Sequence, residues 1–187
     1  MSGTKQRAAL IIGILVVAGI PLHLLFKGAT DISLLSYNER APLLQGPTLD
    51  GGRYDSARDT GKVRVISFID PRRASAVRQA QAVFKWNESY AEQPVVFITV
   101  LTGGTPDQQA QFARQTRLDP AYAVADEGGT RAPAFQVKST PVVYVIDGLD
   151  RVRFASDEAV PANHRKFREA LEHYLPAAGR RFSRGPE

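Results

Sequence analysis

The side chains of this 187-residue chain that could do chemistry are few: three histidines, no cysteine, and a turn reading Asp70-Pro71-Arg72-Arg73. Without cysteine the chain has no thiolate, so disulfide exchange by its own side chains is ruled out. His23 lies in an apolar run, while His164 and His173 stand nine residues apart on one predicted helix without sharing a face, which makes no metal centre. Ser75 opens a predicted helix with no histidine placed to activate it, so it reads as a capping or exposed serine. Asp126 ends a predicted strand and Asp147 and Asp150 fall in a predicted hairpin turn, where aspartate is favoured for local reasons. Gly103-Gly104 precedes a helix but lacks the lysine and spacing of a phosphate loop. What remains is the arginine turn. Guanidinium groups beside free helix amides suit an anionic ligand or an acidic patch on a partner. The plain alternative is that these arginines are solvated, one of them pairing with Asp70.

The elements that must position this turn follow from periodicity. Residues 63–69 (VRVISFI) form an almost continuously apolar, β-rich run, as in a strand covered on both faces. A helix is predicted over 74–90, with Val77, Ala80, Val83, Phe84 and Asn87 at helical spacing, and Trp86 and Tyr90 reading as core or partly buried. Residues 95–101 (VVFITVL) give a second central strand. Thr105-Pro106-Asp107-Gln108 carries a capping box with proline in the first turn of a helix running to about Arg117. A short strand over 121–125, a hairpin of 141–147 with 151–156, and a last helix complete the order. That helix sets Phe167, Ala170, Leu171, Tyr174 and Leu175 on one face and stops at Pro176. Before all of these, residues 41–62 read as a hairpin-like preamble turning at Leu49-Asp50-Gly51-Gly52.

Residues 8–26 are nineteen residues without a formal charge, long enough to cross a bilayer as a helix. Lys5 and Arg7 precede them, which puts residues 1–7 in the cytoplasm and the remainder outside it. The reading is an uncleaved, single-pass anchor in an inner membrane, followed by a polar linker over 27–40, a periplasmic domain over 41–176 and a basic tail over 177–187. The net charge of +5 does not mark a nucleic-acid face. Lys5, Arg7 and Lys27 near the start and Arg180, Arg181, Arg184 and Glu187 near the end account for all of it. Nucleic acid is discarded as a partner.

The soluble part, residues 41–175, resembles the thioredoxin-like superfamily, in its TlpA/ResA-like (AhpC/TSA-type) membrane-anchored branch. The resemblance rests most on Ser139-Thr140-Pro141 followed by VVYVID-G, similar to the family's "G-T-P-x-x-x-x-I-D-x-x-G". Phe68-Ile69-Asp70-Pro71 is similar to the "F-x-D-P-x-C-x-x-C" of thiol-disulfide isomerases, and Gly61-Lys62 matches a weaker "G-K" step. The resemblance implies an α/β fold: a central mixed sheet flanked by helices, an N-terminal hairpin, and one transmembrane helix before it. It also implies that Pro141 is cis and that the preceding backbone faces the groove where relatives hold a substrate chain. The two sulfur positions are Arg73 and Ala76 here.

The resemblance therefore implies the fold without its usual activity, and neither metal nor cofactor. The expectation is a non-catalytic scaffold or accessory subunit of a cell-envelope complex, respiratory, photosynthetic or for cytochrome maturation. Its docking face is the former active-site rim: Asp70, Pro71, Arg72, Arg73, Ala76, Thr140 and Pro141. Two alternatives stand beside it: a redox accessory that binds cysteine-containing partners, and an anion-binding module at Arg72-Arg73.

Overall fold

The computed structural model describes residues 33–176. The expectations for residues 1–32 and 177–187, including the anchor and the basic tail, lie outside the described residues. Among the described residues no helix is long and apolar enough to cross a membrane.

The expected hairpin is present, pairing strand Gln45–Pro47 (β1) antiparallel with Arg53–Asp55 (β2). Its turn closes with the Gly52 carbonyl accepting from Thr48 N–H at 3.1 Å, and Gly51 takes φ +84°, which glycine adopts without strain. The central sheet contains Val63–Ile69 (β3), Val95–Leu101 (β4), Ala123–Ala125 (β5), Val142–Ile146 (β6) and Val152–Ser156 (β7). The spatial order is β5-β4-β3-β6-β7. β3, β4 and β5 run parallel, while β6 is antiparallel to β3 and β7 antiparallel to β6. The apolar run of β3 is explained by its place: it is the middle strand, and all its residues are buried.

Among the described residues four α-helices connect or flank these strands: Ser75–Ser89 (α1), Pro106–Thr116 (α2), Arg131–Ala134 (α3) and Arg165–Tyr174 (α4). The Thr105/Gln108 capping box is formed in full, with Pro106 in the first turn and Arg117 left-handed at the end. One sheet face packs on α1, α2 and α4 around Val65, Ile69, Phe112, Phe167 and Leu171. The other face is covered by Leu35, Leu44, Tyr54, Phe135 and Val137, drawn from the N-terminal segment, the hairpin and the loop before β6.

Two expectations are corrected. The first concerns the face of α1. Its buried stripe is Ala76, Gln79, Ala80, Val83 and Trp86, whereas Val77 and Asn87 face solvent and Phe84 is half-buried. The large indole decides the rotation. Trp86 stacks on Phe167 with centroids 4.2 Å apart and donates from Nε1 to the Ala162 carbonyl at 3.2 Å. This satisfies its polar edge inside the core.

The second correction concerns the linker over 27–40. Residues 33–40 are part of the domain. Leu35 is buried and its N–H donates to the Tyr144 hydroxyl at 3.3 Å. Asn38 N–H donates to Val152 O at 2.8 Å, Val152 N–H to Glu39 O at 2.9 Å, and Ala41 N–H to Asp150 O at 2.8 Å. The segment thus pairs the start of β7's outer edge, at Val152, where backbone groups would otherwise be unpaired. Tyr37 and Tyr174 clasp Arg153 between their rings, with its guanidinium carbon 5.4 and 4.6 Å from the two centroids. Arg153 also donates from Nε to Asp147 at 2.6 Å.

Candidate functional site

The arginine turn begins where β3 stops. Asp70 O accepts from Arg73 N–H at 3.0 Å, and Arg73 O accepts from Ala76 N–H at 3.0 Å, so two successive turns lead into α1. Ala74, just before α1, offers no capping side chain. Cross-strand register brings the proline loop to the same place. Phe68 pairs with Val142, so Thr140 and Pro141 lie at the end of the sheet where β3 delivers Asp70. The Thr140-Pro141 peptide bond is cis, with Pro141 buried and Thr140 half-buried.

The turn's charges are already partly spent on each other. Arg72 donates from Nε to Asp70 Oδ1 at 2.9 Å and from Nη2 to Oδ2 at 2.8 Å, and its backbone N–H adds a third bond to Oδ1 at 3.0 Å. These hydrogen bonds from the Arg72 side chain hold the Asp70 carboxyl below its ordinary pKa against a smaller opposing effect of burial. The pair rests on Gly103, where a Cβ would come within 2.6 Å of Arg72 Nη2 and 2.7 Å of Asp70 Oδ1. The glycine pair that reads as a plain turn in sequence is therefore what lets the β4–α2 loop close over this ion pair. Arg72's planar fork is occupied, which removes it from anion binding and leaves Arg73 exposed beside it.

Ala76 is only 1% exposed and lies under the start of α1. It drops out of the surface a partner could touch. The face that replaces it continues along α1. Ser75, Arg78, Gln81 and Lys85 form one wall of a cleft of about 620 Å³, opposite Glu158, Val160 and Pro161. A hydrogen bond from below fixes that second wall, as Val160 N–H donates to Gln79 Oε1 at 2.8 Å.

Sequence reasoning missed the polar groups buried beneath this face. Gln79 is 0% exposed and its Nε2 has no hydrogen-bond partner; Ser67 Oγ, on the same side of β3, has none either. The one sign in the sequence is a serine interrupting the apolar run of β3. Asp126 and Asp147 behave as expected of local structure. Asp126 accepts from the N–H groups of Arg131 and Ala132 at 2.9 and 3.1 Å, and Asp147 caps its own hairpin turn. His164 is the N-cap of α4, its Nδ1 accepting from Phe167 N–H at 3.2 Å. Among the described residues no group of histidine, aspartate and glutamate is arranged to hold a metal.

No family model matches the sequence, and comparison with curated proteins finds no match. Solved structures do match. A putative thiol:disulfide interchange protein DsbE from Chlorobium tepidum superposes with TM-score 0.68 at 16% identity, covering 75% of this chain and 98% of that one. Peroxidoxin BcpB from Mycobacterium tuberculosis gives TM-score 0.61 at 18% identity, covering 79% and 99%. A putative protein disulfide isomerase from Bacteroides thetaiotaomicron gives 0.64 at 15%, covering 75% and 91%. The chain has a thioredoxin-like fold. Likeness at this identity reaches the fold and no further. The thioredoxin-like domain described here has no cysteine, so the interchange chemistry for which the Chlorobium protein is named is not open to its own side chains.

Proposed function

We propose that this chain is a membrane-anchored, non-catalytic thioredoxin-like subunit that docks on an envelope protein complex through the former active-site end of its sheet. The observation that carries the reading is the pairing of a preserved scaffold with a replaced reaction centre. The cis Thr140-Pro141 loop stands beside the β3–α1 turn, while the sulfur positions are an exposed arginine and a buried alanine.

The docking face is Pro71, Arg73 and the loop residue Thr140, extended along α1 by Val77, Arg78 and Lys85. Val77 adds an exposed apolar contact amid these cations. The one acid on the opposite wall of the cleft is Glu158. Such a surface selects an acidic segment of a partner, because fixed guanidinium groups pair with carboxylates while an isolated chain leaves them to water. Residues 8–26 hold the domain near its partner in the membrane of the cell envelope, raising effective concentration without new contacts. Respiratory, photosynthetic and cytochrome-maturation complexes are the class of assembly this reading favours.

Purification of the full-length chain from its native membrane in mild detergent tests the reading. A partner should be recovered in stoichiometric amount with wild type and lost with Arg73→Glu/Arg78→Glu. Recovery of the chain alone, or of the same partner with both forms, would overturn it.

A further inference from the structure

The far end of β3 holds a second cluster of charge that the docking face does not use. Arg64 is the second residue of the central strand, and its side chain is 4% exposed. A buried guanidinium is retained only when its N–H groups find acceptors. Here they find two: Asp150, and the Ser56 carbonyl at 3.5 Å, the limit of a hydrogen bond. Arg64 Nε is buried and unpartnered. Asp150 is shared besides with Arg40, whose Nη2 stands 3.7 Å from its other oxygen, too far for a hydrogen bond. Two arginines thus face one carboxylate, and the cluster is one negative charge short of balance.

These groups line a cleft of about 460 Å³ closed on its other side by Pro42, Leu43, Ser56 and Thr60. Leu43, which lines it, is 60% exposed. The surface is not a crowded salt-bridge lattice, since the nearby Lys62 is already engaged by Asp59 at 2.9 Å.

We infer that this cleft is a binding site for a phosphate group, held by Arg40 and Arg64. A phosphate oxygen supplies the missing charge and gives Arg40 the hydrogen-bonded partner that Asp150 is too distant to be. The phosphate has two possible sources, inorganic phosphate or the headgroup of an anionic phospholipid. The exposed Leu43 beside the two arginines suits the second, because an apolar side chain next to cations can enter the headgroup layer. The lipid arm rests on the anchored reading above; the phosphate arm does not. The site lies at the opposite end of β3 from the docking face, so either reading can fail without the other.

Thermal unfolding of the full-length chain in uncharged detergent tests the site. Inorganic phosphate is titrated against chloride at matched ionic strength, and phosphatidylglycerol against phosphatidylcholine in mixed micelles. One or both phosphate sources should raise Tm saturably by about 2–4 °C near a few times Kd. The exposed variant Arg40→Glu should abolish the rise while leaving Tm without ligand within about 2 °C of wild type. A response to inorganic phosphate assigns a free-oxyanion site, and a response to phosphatidylglycerol alone assigns a headgroup site. No response to either, or an equal response in Arg40→Glu, overturns the inference.

Discussion

Asp70 grips Arg72 through both carboxylate oxygens, at 2.9 and 2.8 Å, and this pair sits at the end of β3 beside the Thr140-Pro141 loop. It locks the strand-to-helix turn in place without using Arg73. The neighbouring cations Arg73, Arg78 and Lys85 are exposed.

The Asp70–Arg72 pair makes stability depend on acid. Hydrogen bonding by Arg72 lowers the folded-state pKa of Asp70. Its contribution is then full above the ordinary carboxylate value and is lost as pH falls through the folded one. Arg72 is well exposed, so solvent screening keeps the contribution small. Thermal unfolding of wild type and Asp70→Asn from about pH 6 to about pH 2 should show the gap between them closing as pH falls. A gap that widens toward acid would contradict the assignment.

The expectation that Arg73 and Ala76 stand at the family's sulfur positions can be tested by placing cysteines there. Wild type should reduce no insulin disulfide, since it has no thiol. Arg73→Cys/Ala76→Cys should form an internal disulfide on mild oxidation, seen as loss of titratable thiol, and should gain measurable insulin reduction. Two thiols that never pair would mean that the turn is in a different register.

Trp86 should be the most costly single truncation on α1. Trp86→Ala removes the stack on Phe167 and the bond to Ala162, and should lose about 3–5 kcal/mol in urea unfolding. Loss of under about 1 kcal/mol would place the indole outside the core.

The two buried polar side chains should respond in opposite directions. Ser67→Ala removes a hydroxyl that has no partner, so stability should hold or rise by up to about 1 kcal/mol. Gln79→Leu orphans the Val160 N–H and should lose about 1–3 kcal/mol, loosening the wall of the α1 cleft. Urea unfolding of both variants checks the sign.

Arg153 ties the N-terminal segment to α4. Arg153→Met breaks its ion pair with Asp147 and the ring contacts to Tyr37 and Tyr174. It should lose at least about 2 kcal/mol and speed hydrogen exchange at the Asn38 amide, which bonds to β7. Unchanged exchange at Asn38 would show that the clasp does not hold the segment.

The elements whose signals are local were legible in the sequence. The Thr105/Gln108 cap, the glycine turn of the first hairpin and the almost continuous apolar run of β3 each follow from near neighbours. The proximity of Thr140-Pro141 to Asp70 was legible only through resemblance, because a pairing of Phe68 with Val142 leaves no trace in either segment alone. The face of α1 was misread because Val77 and Phe84 lie seven apart and imitate a core stripe, while the true stripe contains alanines and a glutamine. Residues 33–40 read as a tether because what fixes them is mostly backbone bonding to β7, which side-chain pattern does not encode. The same limit hid Arg64, a charged residue at the start of a strand whose burial depends on Asp150, distant in sequence.

Site-specific photo-crosslinking in the native membrane tests the docking face most directly. The photoreactive residue replaces Arg73 or Val77 in the full-length chain, with Arg114 on the outer side of α2 as the control position. The account predicts one abundant crosslinked protein from positions 73 and 77, with an acidic segment at the point of attachment, and little from position 114. Equal crosslinking from all three positions, or none from 73 and 77, would contradict a docking role for the former active-site end.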